Sequence, residues 1–185
     1  MVRICPNEEK LKELILYISA KCAGHSKFGA TKLNKILFYS DFIAFQCYGC
    51  PITGVDYQKL ENGPAPRRLL PIEDQMKRDG ELAIQVVPLG RNEQHRRVNL
   101  RAAKLSMFSA DEIAIVDSII DTFKDLGAGD VSQISHGEMG WKAARMKETI
   151  PYSASLLECV PPTDEQIQRA KAVSVECAEL LRSIA

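Results

Sequence analysis

The sequence predicts an α+β fold in which four to six helices surround a central buried helix, with a small antiparallel β-sheet beside them. Three features carry that prediction. Apolar residues recur at three- and four-residue spacing over 11–22 and again over 113–123, the period of amphipathic helices. Residues 36–45 read Ile-Leu-Phe-Tyr-Ser-Asp-Phe-Ile-Ala-Phe, apolar on nearly every side, as in a helix covered by its neighbours. Residues 82–102 alternate apolar and polar instead, the period of a half-buried strand pair. Helical and strand runs are segregated along the chain, which separates α+β from α/β architectures. At 185 residues the chain fits one domain, expected to span 1–185.

In chain order, Asn7 caps a first helix whose Glu8 and Glu9 face the positive end of its dipole. Leu11, Leu14, Ile15, Ile18 and Cys22 form its apolar stripe, and Gly24 its stop. The central helix begins near Thr31 and ends at Gly49 and Pro51. Residues 51–67, rich in glycine and proline, read as loop with a short strand near 55–58. A short helix over 68–78 closes at Asp79-Gly80. Leu82, Ile84 and Val86, then Val98, Leu100 and Ala102, mark two strands joined through Gly90 and Asn92 as a hairpin over 82–102. Pro88 makes the first of them an edge strand or ends it. Ser109 and Glu112 match a capping box that opens a helix with Ile113, Val116, Ile119, Ile120 and Phe123 inward and Gly127 as its stop. Asp130 with Gln133 suggests another cap and a short helix through His136. After Pro161-Pro162, Thr163 and Gln166 open a closing helix striped by Ala170, Val173, Cys177, Leu180 and Ile184.

Composition narrows the function. Twenty-four basic and 24 acidic residues cancel, so the global basic signature of a nucleic-acid binder is missing. One local cluster remains in the hairpin, at Arg91, His95, Arg96, Arg97, Arg101 and Lys104; a nucleic-acid-binding regulator would act through this 91–104 segment, but a solvated, charge-protected hairpin edge is the plainer reading. The N-terminus lacks an apolar signal region and no window matches a membrane helix, so a cytoplasmic protein without membrane contact is expected. Cys47 and Cys50 form a lone CxxC without a second pair or clustered histidines, and they sit where a helix dipole disfavours thiolate. No metal or cofactor is expected. Gly127-Ala128-Gly129 lacks the lysine and preceding strand of a phosphate loop. No nucleophile motif is present; a small hydrolase would have to use His136 with Asp41 or Glu138 as acidic partner.

Asp41 is the most informative residue. A carboxylate within an apolar helix needs a partner, and a loop backbone, Trp141 or His136 can supply one. The loop over 57–66, with Asn62-Gly63-Pro64-Ala65-Pro66, is stiff, which suits either a plain turn or a preorganised binding surface.

Lys32-Leu33-Asn34-Lys35-Ile36-Leu37-Phe38-Tyr39-Ser40-Asp41 resembles the "K-L-x-K-L-L-Y-F-x-D" helix of the Panacea family, described also as SocA-like antitoxin or phage-associated proteins. The family's "G-x-P-I-T-G" turn corresponds to Gly49-Cys50-Pro51-Ile52-Thr53-Gly54, followed by Tyr57. Its "G-P-V-P" corresponds to Gly63-Pro64-Ala65-Pro66, with Ala65 in place of valine, and its "L-S-H-x-x-x-x-W" to Ile134-Ser135-His136 and Trp141. Leu60-Glu61-Asn62 lacks the aromatic often found before that glycine. The resemblance, over roughly 32–141, implies a small α+β fold that neutralises a cognate toxin by protein–protein contact, with no cofactor and no established catalytic residue. Tyr39, Asp41, His136 and Trp141 are expected to form one polar-aromatic cluster, with Tyr57, Gly63 and Pro64 shaping a loop beside it. The outer faces of the first and last helices offer a contact for a homodimer.

Overall fold

The computed structural model describes residues 4–89, 92–157 and 168–169. The fold is α+β. Helix α1 spans Glu8–Lys21, with the Asn7 side chain accepting from the Lys10 backbone N–H at 2.9 Å as expected. It ends before Gly24, with Cys22 at its C-cap. Helix α2 spans Ala30–Tyr48 and ends on Gly49 in the left-handed conformation, φ 71°. Leu33, Ile36, Leu37, Phe38, Phe42 and Ala44 are all buried, because α1, the later helices and the loop after α2 cover it. It is the central helix that the sequence predicts.

Two two-residue strands, β1 (Tyr57–Gln58) and β2 (Ala65–Pro66), flank helix α3 (Leu69–Arg78) on its N-terminal side. Strands β3 (Leu82–Leu89) and β4 (Asn92–Asn99) form the antiparallel hairpin, with Leu82 opposite Asn99 and Leu89 opposite Asn92. Helix α4 (Ala110–Phe123) opens with the full Ser109–Glu112 capping box and packs across α2. Helices α5 (Ala128–His136) and α6 (Met139–Ala143) follow, then β5 (Thr149–Ile150) and a 3₁₀ turn over Tyr152–Leu156. Strand β5 pairs with β1, giving a second antiparallel sheet in the order β2-β1-β5.

Four expectations need correction. The hairpin does not reach 102: β4 ends at Asn99, and Val86, Val98 and Leu100 are 40–56% exposed, so the alternation does not bury one continuous face. Among the hairpin's described side chains only Leu82 and the paired Arg97 sit inside. Pro88 lies within β3, which agrees with the edge-strand alternative, since both strands of a two-stranded ribbon are edges. Asp130 is not a cap: Gly127 takes that place, and Asp130 reaches back to its N–H at 2.8 Å from the third helical position. Gly127 also does not end α4, whose last residue is Phe123. In α1, residues 11–19 are all buried, so the expected dimer contact has no surface there. The Thr163–Gln166 capping box and the apolar stripe of the closing helix lie outside the described residues, as do Gly90 and Arg91.

Candidate functional site

Asp41 is wholly buried on α2. One of its oxygens accepts the Thr53 backbone N–H at 2.6 Å, and the other faces the hydroxyls of Thr53 at 2.5 Å and Tyr57 at 2.8 Å. Tyr152 donates to the Val55 carbonyl at 2.6 Å and sits 3.5 Å from the same carboxylate oxygen. Burial pushes the Asp41 carboxyl up against these hydrogen bonds, and pushes both tyrosine hydroxyls well above their ordinary range. The partner of Asp41 is therefore the loop backbone and its hydroxyls, not Trp141 or His136. The left-handed turn at Gly49 folds Pro51-Ile52-Thr53-Gly54 back over α2, which puts Thr53 within reach of a helix residue 12 positions earlier.

The expected four-residue cluster thus divides in two. His136 and Trp141 meet, their rings stacked with centroids 4.0 Å apart. Tyr39 donates instead to the carboxylate of Glu138, which lies between them in sequence, at 2.9 Å, while its ring edge packs on Phe123. Asp41 stays with Thr53, Tyr57 and Tyr152. Neither acid proposed for His136 hydrogen-bonds to it: Asp41 faces the loop, and Glu138 accepts from Tyr39.

What the motifs hold together is the loop between β1 and β2. Trp141 Nε1 donates to the Leu60 carbonyl at 3.2 Å, Ser132 Oγ to that of Asn62 at 3.1 Å, and Lys35 Nζ to that of Pro64 at 3.0 Å. Lys59 exchanges backbone bonds with Lys147 and Glu148, and its ammonium lies 4.1 Å from the Trp141 ring centroid. Gly63 has φ 94°, and a Cβ there would stand 2.3 Å from Ser135 Oγ and 2.6 Å from Lys35 Cε. Only glycine permits both the conformation and the approach. Beside this loop runs a groove of about 560 Å³, lined by the start of α2, residues 60–63 and Met146-Lys147. Lys147 on its lip is the one non-glycine among the described residues with positive φ, 66°.

The basic hairpin presents a different picture from a phosphate-binding stripe. Arg97 is buried in a bidentate pair with Glu73 at 2.7 and 2.8 Å, Arg101 pairs with Glu13 and Glu81, and Arg96 donates to the Ser26 carbonyl. These cations are spent on internal acceptors. Cys47 and Cys50 are both exposed free thiols, and no group of three metal-ligating side chains occurs among the described residues. No helix among those residues is long and apolar enough to cross a membrane.

Sequence reasoning placed Tyr57, Gly63, Pro64, His136 and Trp141 at or beside the loop but passed over its anchors. Ser132 and Tyr152 carry no signal of their own, and Thr53 and Ser135 stand in the matched motifs without a role the motifs assign. Lys32 and Lys35 do carry a signal: they stand inside an apolar helix, and both are 1% exposed. Each ammonium donates to a single backbone carbonyl, Lys124 at 3.1 Å and Pro64 at 3.0 Å respectively. Burial lowers both pKa values, that of Lys35 to about 8.

No curated protein and no solved structure matches the chain. The family model that does match covers residues 33–142, from the lysine-rich turn of α2 to Trp141, and so takes in every loop anchor on α2, α5 and α6. The chain belongs to the SocA-like antitoxin family and carries its Panacea domain.

Proposed function

We propose that this domain is a cytoplasmic, non-catalytic antitoxin that neutralises a cognate toxin by direct protein–protein contact, using the face formed by the 59–66 loop and its groove. The observation that carries the reading is the loop itself. Side chains from α2, α5 and α6 converge on three alternate backbone carbonyls, at Leu60, Asn62 and Pro64, and hold a solvent-facing segment rigid. Glu61 and Asn62 remain exposed at its tip. A surface ordered before it meets its partner avoids most of the entropy of ordering on binding. The motif residues serve this presentation instead of assembling a nucleophile, base and orienting acid.

The test is co-expression. The neighbouring open reading frame should arrest growth alone, and the wild-type chain should restore growth and co-purify with the toxin. Glu61→Arg combined with Asn62→Trp should abolish both rescue and co-purification while the thermal unfolding midpoint stays within about 2 °C of wild type. Rescue without a complex, or full rescue by the double variant, would count against contact through this face.

A further inference from the structure

We infer that the groove at the start of α2 receives an acidic residue of a peptide segment of the toxin, its side-chain carboxylate on the Lys35 ammonium and a backbone N–H on Asn34 Oδ1. This rests on the antitoxin reading and names the chemistry of its contact.

Lys35 is 1% exposed and lines the groove, yet its ammonium, with three donors, has one acceptor, the Pro64 carbonyl at 3.0 Å. No carboxylate pairs with it among the described residues. The other buried cations are treated differently. Arg97 and Lys12 have carboxylates, Glu73 and Glu9, and Lys32 has the C-terminal carbonyl end of α4 at Lys124. Burying a cation without a counter-charge is expensive, and an incoming carboxylate recovers that penalty as binding. Even lowered to about 8, the Lys35 pKa leaves most of the population protonated at neutral pH.

The neighbouring residue decides what the anion is attached to. Asn34 also lines the groove, and its Oδ1 is buried with no donor among the described residues. A bare anion would satisfy Lys35 and leave that acceptor orphaned. An acidic residue within a peptide brings both a carboxylate and an N–H. The first turn of α2, where Ala30 and Thr31 line the same groove, has neither a side-chain cap nor an acidic residue, so the dipole adds to the attraction. On the lip, Glu61 and Lys147 offset each other and leave Lys35 as the net charge. About 560 Å³ is room for a side chain and adjoining backbone.

The probes are the capped tripeptide Ac-Ala-Glu-Ala-NH₂, its Gln counterpart, and acetate, titrated at about pH 7 into ¹⁵N-labelled full-length chain and followed by NMR. The Glu peptide should shift the Lys35 ammonium and the Asn34 and Gly63 amides saturably, at least about tenfold more tightly than the Gln peptide or acetate. Lys35→Met should abolish the response. Asn34→Ala should weaken the Glu peptide by about threefold or more while leaving acetate unchanged, and it carries the test if Lys35→Met fails to fold. No saturable response, or equal responses to Glu and Gln, overturns the proposal. Acetate binding as tightly as the peptide makes this a small-acid site and overturns the peptide assignment. The titration contains no toxin, so growth rescue alongside a silent groove overturns this inference alone. A responsive groove alongside failed rescue overturns the antitoxin reading instead.

Discussion

Two charged residues of α2 show how burial is handled one side chain at a time. Asp41 has donors in place of a cation: a backbone N–H and two hydroxyls. Asp41→Ala would leave those donors facing a void, and the expected destabilisation is on the order of 3 kcal/mol by urea unfolding. Asp41→Asn should lose clearly less, since the Thr53 and Tyr57 hydroxyls can turn to accept. Lys35 works the opposite way. Its folded pKa is about 8 against 10.5 for the ordinary side chain. Below about pH 8 both states hold the proton and the fold carries the whole penalty. Between about 8 and 10.5 the unfolded chain binds more protons, so stability rises with pH by at most about 1.4 kcal/mol per unit. The Cys22 thiol, pushed by burial to about 11, opposes this at higher pH, as do the buried tyrosines. The observable is therefore the difference between wild type and Lys35→Met. The Met variant should gain on wild type at neutral pH, apart from a constant offset for the lost Pro64 bond, and that gain should shrink towards pH 10 in chemical melts. A difference independent of pH would mean that Lys35 is not an unpaired buried cation.

At the scale of elements, the 59–66 loop is held by contacts distant in sequence, and that explains which parts were readable beforehand. Caps are local, so Asn7 and the Ser109–Glu112 box could be found by inspection. The apolar run over 36–45 marked the central helix because full burial leaves its own pattern. Strands of two residues have no period to detect, so β2 and β5 were invisible until Tyr57 was seen opposite both Pro66 and Ile150. The site was half legible: Gly63, Pro64 and Trp141 stand out by residue type, whereas Ser132 and Ser135 act only through where α5 places them. The loop's dependence on Gly63 follows from the same geometry. Gly63→Ala combines a positive φ with a Cβ inside the contact distance of Ser135 and Lys35, and should destabilise by about 2 kcal/mol or more in thermal melts. Trp141→Phe keeps a ring for His136 and Lys59 but loses the bond to Leu60 and part of the stacking face, and should cost about 1–2 kcal/mol.

Across the whole molecule, the exposed apolar face of the β3–β4 hairpin raises the question of what docks it. Among its described side chains Leu82 is the one deeply buried apolar residue, so charge fixes it instead: Arg97 to Glu73 of α3, and Arg101 just beyond it to Glu13 of α1 and Glu81. The same residues that looked like a nucleic-acid patch in sequence are thus the hairpin's attachment. Burial of the Arg97–Glu73 pair, with side chains 4% and 2% exposed, makes its halves unequal to its sum. Glu73→Gln leaves a buried guanidinium without its counter-charge, and the expected loss is about 3–5 kcal/mol. Replacing both residues with methionine removes the charge from both sides and fills similar volume, so the double variant should recover most of that loss and could exceed wild type. Chemical unfolding of wild type, the single variant and the double variant separates the two accounts. If the double variant is as unstable as Glu73→Gln, the pair is more than an electrostatic staple, and hairpin placement depends on its bidentate geometry. Recovery would show that the hairpin needs only a filled, neutral contact against α3, and growth rescue by the double variant would show that the 59–66 face, beside the same start of α2 that Gln94 of β4 approaches, is undisturbed.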